Sequence, residues 1–231
     1  MENFKRYAVY YAPRAGAFAD RASAWLGWDA AACAPVAQPD LALPDEITRP
    51  IEALTKAPRK YGFHGTLRAP FRPRDGVSEA EIRSHLAALA ASLPPAEMPA
   101  LTLEDLHGFL ALIPTDAAPI NTLAAAVVEA TNPLRDALTE AEITRRRPER
   151  LSPRQRALMD RWGYPFVMDE FRFHLTLTDA LDAHEIAPLK AALTAHLTPV
   201  LPTPFVIEDL CLFGEDEVGR FHLLHRYALN G

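Results

Sequence analysis

The sequence is poor in cysteine. Cys33 and Cys211 are the only two, and they show neither a metal-binding spacing nor a disulfide pattern. Both are expected as buried apolar residues in a reducing compartment. No His-x3-His appears, so a zinc site is disfavoured and no metal or other cofactor is expected. There is no glycine-rich phosphate loop, which disfavours nucleoside triphosphates. No run approaches the ~18 apolar residues of a membrane span, and the first six residues lack the apolar core of a signal peptide. A cytoplasmic protein without membrane contact is expected. Basic charge is in deficit: 24 Lys and Arg face 30 Asp and Glu, for a net charge of −6. That balance argues against broad, non-specific nucleic-acid binding, but leaves room for a local basic pocket.

What is present begins with a repeat. Phe63-His64-Gly65-Thr66-Leu67 returns as Phe173-His174-Leu175-Thr176-Leu177. Each lies in a short apolar run with strand character. A strand sends alternate side chains to opposite faces, so His and Thr share one face while Phe and Leu share the other. The polar face extends to Arg68 in the first copy, and to Arg172 and Thr178 in the second. Two imidazoles can act as general base and general acid near neutral pH. Hydroxyls and guanidinium groups donate well to phosphate oxygens. The pattern points to phosphoester chemistry.

The 231 residues are 49% hydrophobic, enough for a real core. Residues 6–12 read as a first strand, 18–28 and 45–54 as helices, the latter capped by Asp45, and Tyr61–Leu67 as the first motif strand. Ser78 with Glu81 is a capping box that opens a helix to about Ser92. Strands follow at 101–106 and 108–113. After the second motif come a helix over 182–197, a strand over 205–213 and a last strand over 220–229. Leu103-Glu104-Asp105-Leu106 is answered by Ile207-Glu208-Asp209-Leu210, so the segments 61–113 and 171–229 read as an internal duplication. Between them, 119–164 reads as a helical connecting segment. It holds Arg145, Arg146, Arg147 and Arg150, taken as a solvated helix end or loop. The expected fold is α+β: one bilobed domain whose pseudo-symmetric lobes of antiparallel sheet plus helices enclose a cleft with a histidine on each side.

These residues resemble the two-histidine (2H) phosphoesterase superfamily, which carries one His-x-(Thr/Ser) motif per lobe of a pseudo-symmetric α+β fold. The superfamily includes cyclic phosphodiesterases and proteins named as RNA 2′,5′ ligases. The fit runs from the first strand to the last. The wording RYAVYYAP, YGFHGTL, FRFHLTLT and LLHRY is similar to a bacterial branch associated with phosphonate-utilisation operons. The resemblance implies that His64 and His174 form the acid–base pair, and that Thr66 and Thr176 hold the non-bridging phosphate oxygens. It implies a metal-independent phosphodiesterase that opens a cyclic phosphate, a sugar cyclic phosphate being one candidate. With ordinary histidine pKa values of ~6.5, a bell-shaped pH profile is expected.

Arg68, Arg172 and Tyr61 are the further substrate-binding candidates, with Lys60 beside Tyr61 at the entrance. A strand bulge would move either arginine off the face. Tyr7 and Tyr11 read as core or rim, and the other six histidines as structural or exposed. Two alternatives stand beside the small-molecule reading. One is an RNA-end enzyme acting on a 2′,3′-cyclic phosphate or a 2′,5′ linkage. The other is a non-catalytic binder of a phosphorylated ligand. A monomer is expected.

Overall fold

The tyrosine- and valine-rich opening run forms β1 (Arg6–Tyr11) in the computed structural model, which describes residues 4–231. The reading of residues 1–3 as free of an apolar leader lies outside the described residues. α1 (Ala17–Leu26) buries Ala22, Trp25 and Leu26, and Gly27 closes it in the left-handed region at φ 78°. β2 (Trp28–Asp29) and β3 (Ala34–Pro35) form a two-residue ladder. The helix expected over 45–54 shrinks to α2 (Ile51–Leu54), with Pro50 rather than Asp45 at its N-cap. Proline drives the residue before it out of the helical region, so no helix runs through Arg49.

β4 (Gly65–Phe71) begins at the motif itself, four residues later than expected. α3 (Glu79–Ser92) opens on the capping box: Ser78 Oγ accepts from the Glu81 N–H at 3.2 Å, and the Glu81 carboxylate accepts from the Ser78 N–H at 2.7 Å. β5 (Ala96–Met98), β6 (Leu101–Asp105) and β7 (Leu110–Pro114) follow. The connecting segment holds α4 (Ala118–Thr131), α5 (Glu140–Arg145) and α6 (Pro153–Trp162), the last capped by Ser152. β8 (Leu175–Thr176), α7 (Ala183–Leu197), β9 (Phe205–Ile207), β10 (Asp209–Glu215) and β11 (Phe221–Ala228) complete the chain. Among the described residues, no helix is long and apolar enough to cross a membrane.

The fold is α+β. Seven strands make one sheet in the order β11-β10-β1-β4-β8-β7-β6, antiparallel at every named pair. The two halves join where β4 meets β8, through one pair, Gly65 and Leu175. The segments 61–113 and 171–229 repeat the order strand, helix, short strand, hairpin, and they exchange their hairpins across the sheet. Hairpin β10–β11, from the second segment, extends the sheet of the first motif through β1, while hairpin β6–β7, from the first, pairs with β8. Alternating hydrophobicity tells which face a residue takes, not which strand lies beside it. β5 and β9, at equivalent places in the two segments, pair with each other.

One face of the sheet carries the main core. Val9, Leu67, Phe173, Leu175, Leu177, Leu112 and Leu212 pack there with Trp25 of α1, Leu86 of α3, Val127 of α4 and Leu193 of α7. Burying these groups supplies the main driving force for folding. The opposite face has a smaller cluster, Ala8, Tyr10, Cys211, Phe213 and Phe221, capped by Trp28 and Ala30. Cys211 is buried there, as expected. Cys33 is exposed, at φ 53° in the tight loop between β2 and β3, a correction to the expected burial.

Candidate active site

His64 and His174 each precede a strand by one residue, and each is tied in the same way. His64 Nδ1 lies 2.9 Å from the Gly62 carbonyl oxygen, and His174 Nδ1 lies 2.8 Å from that of Arg172. A carbonyl oxygen only accepts, so both Nδ1 atoms carry hydrogen and both Nε2 atoms are left for chemistry. Gly62 stands at φ 69°, where an added Cβ would sit 2.7 Å from Ala30 Cβ. Glycine therefore makes the turn that brings this carbonyl to the imidazole.

The pairing of Gly65 with Leu175 fixes the rest. One step either way along that antiparallel register sets His64 opposite Thr176 and Thr66 opposite His174. Directly opposed residues lie ~4.5–5.5 Å apart between Cα atoms. All four fall on one face, since Phe63, Leu67, Phe173, Leu175 and Leu177 are buried on the other. The cavity above this patch has a volume of about 760 Å³, and His64, Thr66, His174 and Thr176 all line it. That lies within the usual range for a small-molecule site.

Tyr61 and Arg172 also line the cavity, as expected. Arg172 is exposed, and its Nη1 donates to the carbonyls of Phe171 at 2.7 Å and Asp169 at 3.2 Å. Arg68 is a correction. Tyr10 pairs with Thr66, Val9 with Arg68 and Tyr7 with Phe71, so β4 takes an extra residue twice against β1. These irregularities turn Arg68 away from the cavity. It is 1% exposed, lies over the Phe71 ring, and donates from Nη1 to the Trp162 carbonyl at 2.8 Å. Burial pulls its pKa down to about 9, helped by nearby Arg135 and Arg146. It braces the C-terminal carbonyl of α6, where the helix dipole favours a cation. Lys60 is exposed and stands outside the lining; Ala57 and Pro58 take the rim instead.

The sequence reading missed several wall residues. Tyr10 packs against His64 with ring centroids 4.1 Å apart and the rings tilted by 32°, and Tyr61 approaches the same ring at 5.5 Å. Phe109 stands 5.8 Å from His174. Arg6, Arg145, Arg146, Tyr164, Phe166 and Glu170 also line the cavity. The connecting segment thus supplies one side of the cavity: Arg145, exposed at the end of α5 as expected, and half-buried Arg146 both line it. Arg147 and Arg150 are exposed, as expected. The signal for Tyr10 was its place on β1 at the polar face of β4; no periodicity marks Arg145 or Arg146.

Burial between the tyrosines pushes the His64 pKa down to about 4. The Gly62 carbonyl opposes that shift, and His174 adds to it. His64 is therefore neutral at pH 7, with a lone pair on Nε2. Tyr7 and Tyr11 are core: the Tyr7 hydroxyl donates to Glu79 at 2.9 Å and Tyr11 packs edge-on against Phe205. Of the remaining histidines, His222 pairs with Asp216 at 2.7 Å, and His107 reaches the cavity rim.

Residues 66–222 match the family described as protein of unknown function (DUF1045). The chain belongs to the DUF1045 family. Thr66, His174 and Thr176 lie inside the matched segment, and His64 lies two residues before it. Two curated proteins named ribose 1,5-bisphosphate phosphokinase PhnN are similar to this DUF1045 chain. The one from Janthinobacterium sp. (strain Marseille) is 36% identical over 226 residues, covering 94% of this chain and 49% of the relative. The one from Laribacter hongkongensis (strain HLHK9) is 38% identical over 223 residues, covering 96% and 51%. The chain spans about half the length of the curated relatives it matches. Among solved structures, TT0787 of Thermus thermophilus aligns at TM-score 0.49 and 14% identity, over 98% of both chains. A structure titled as a phosphoesterase aligns at TM-score 0.47 and 15% identity, over 99% of this chain and 100% of that one.

Proposed function

We propose that this DUF1045 chain is a phosphodiesterase that opens the cyclic phosphate of a small molecule by histidine acid–base catalysis. The observation that carries the reading is the four-residue patch: two imidazoles with the same carbonyl tether, and two threonines, on one face beneath one cavity. Water attacks phosphorus in line with the departing ring oxygen. His64, neutral on Nε2, takes the proton from water, and His174 returns a proton to the leaving oxygen. The products are a phosphomonoester and a free hydroxyl. Thr66 and Thr176 donate to the non-bridging oxygens, where charge builds. Acid–base assistance of this kind contributes ~10²–10⁴-fold. The curated relatives are named for a reaction of ribose 1,5-bisphosphate, so a ribose cyclic phosphate is the first compound to try. The flanking wording also supports a place in phosphonate metabolism.

The test is hydrolysis of nucleoside 2′,3′-cyclic phosphates, ribose 1,2-cyclic phosphate and a short RNA with a cyclic end, in EDTA, by parent and His174→Ala protein. Turnover that survives EDTA and is lost in the variant is expected. Equal activity of the two proteins would remove the catalytic reading.

A further inference from the structure

Several arginines of this fold have an acid beside them. Arg6, Arg14, Arg49, Arg59, Arg72 and Arg154 each hold a carboxylate. In the cavity wall, exposed Arg145 and half-buried Arg146 have none. Among the described residues, neither guanidinium has a hydrogen-bond or carboxylate partner. Arg146 is half-buried, and its Nε is shielded from solvent with nothing to donate to. Its guanidinium lies 4.9 Å over the Tyr164 ring. Stacking engages the flat face and leaves the in-plane N–H groups for a second, bidentate partner.

The neighbouring acids are already engaged. Glu142, one turn earlier on α5, accepts from Arg72 at 3.2 Å and from the Thr139 N–H at 2.9 Å. Glu170 accepts from Gln155 at 3.0 Å, and Asp179 accepts from the Ala57 N–H at 3.0 Å. Arg6, on the same wall, is held by Glu215. A half-buried cation with no partner is costly, and a phosphate oxygen relieves that cost with charge-assisted hydrogen bonds. Ring opening makes no use of these two groups: the cyclic diester carries one negative charge, and the histidines and threonines serve it.

We propose that the substrate carries a second, non-reacting phosphomonoester, which Arg145 and Arg146 hold at the Tyr164 end of the cavity while the cyclic phosphate sits over His64 and His174. This inference rests on reading the site as a cyclic phosphodiesterase. The substrate class becomes a phosphorylated sugar cyclic phosphate, and the product a bisphosphate.

The probes are ribose 1,2-cyclic phosphate with and without a phosphate on O5, and a short RNA ending in a 2′,3′-cyclic phosphate. Turnover and calorimetric binding are measured for parent, Arg146→Ala and Arg146→Lys proteins, each first shown to keep the parent melting temperature within a few degrees. The parent is expected to prefer the O5-phosphorylated sugar by at least ~10-fold in kcat/KM. Arg146→Ala should shrink that ratio by ~10–100-fold, chiefly through KM, and Arg146→Lys should restore part of it. A parent that turns over both sugars alike, or a ratio unmoved in Arg146→Ala, overturns the inference and leaves the proposed reaction standing. Tighter binding of the O5-phosphorylated sugar that needs Arg146, without turnover of either sugar, upholds the subsite and overturns the reaction. A loss in Arg146→Ala confined to the RNA shows that the wall reads a nucleic-acid backbone, which also overturns the inference.

Discussion

His64 is pressed between two tyrosines, Tyr10 at 4.1 Å and Tyr61 at 5.5 Å, and Phe221 stacks behind Tyr61 at 4.9 Å. Among the described residues, His174 has a single ring beside it, Phe109 at 5.8 Å, and it leads into a strand only two residues long. The two motifs share letters, alternation and the carbonyl tether. They differ in how much water their surroundings exclude. A duplicated motif therefore does not make duplicated surroundings: burial holds the packed copy neutral at pH 7, and the reaction proposed above uses that copy as the proton acceptor and the open copy as the donor. The letters of the motif are the same in both copies, and the aromatic neighbours make the environments of the two imidazoles differ.

The largest expected effect breaks both copies alike. His64→Ala and His174→Ala should each lower kcat by ~10²–10⁴-fold, and the double variant should be little worse, since the pair acts as one unit. Steady-state kinetics on the best cyclic phosphate check this; a double variant whose losses multiply would mean two independent roles. Thr66→Val and Thr176→Val should cost kcat ~10²-fold each, as removal of a charge-stabilising donor does elsewhere. An effect confined to KM would make them ground-state contacts.

Gly65→Ala probes the seam between the copies. A Cβ at Gly65 would lie 2.3 Å from the Phe173 ring, one residue before His174. Overpacking of this kind costs ~1–3 kcal/mol, readable in urea denaturation, and activity should fall further than stability because His174 moves with Phe173. A variant as stable and active as the parent would show that the seam yields freely.

The subtlest test sharpens the difference itself. With the His64 pKa at about 4, kcat/KM should hold as pH falls through the ordinary histidine range near ~6.5 and decline only close to pH 4. Tyr61→Ala opens His64 to water and should move that limb upward. Folding stability carries the same signature. Between about pH 6.5 and 4 the unfolded chain binds a proton that half-buried His64 refuses, so stability should fall as pH falls across that window in the parent, and less so in the variant.

Much of this was legible in the sequence. The two motifs, the faces of their side chains, the capping box at Ser78 and most of the longer helices and strands follow from local pattern, because capping and alternation are local physics. The short β2, β3, β5 and α5 were not read, and the strand over 205–213 divides into β9 and β10. Arg68 was misread because the extra residues in β4 depend on how it pairs with β1, and no letter marks them. The place of Arg145 and Arg146 in the cavity wall was hidden because a charge run looks the same whether it faces solvent or a cavity. The exchange of hairpins was hidden for the same reason as the bulges: partner choice is tertiary.

That exchange sets an order of assembly during synthesis. The aromatic pack around His64 needs Phe213 and Phe221, which emerge from the ribosome some 150 residues after it. Until then Tyr10, Tyr61 and the open edge of β1 have no cover. Such distant pairing is slow and leaves sticky surface exposed meanwhile. The first histidine to be made is thus the last to be finished, and a nascent chain halted before β10 holds both motifs but not the packed site.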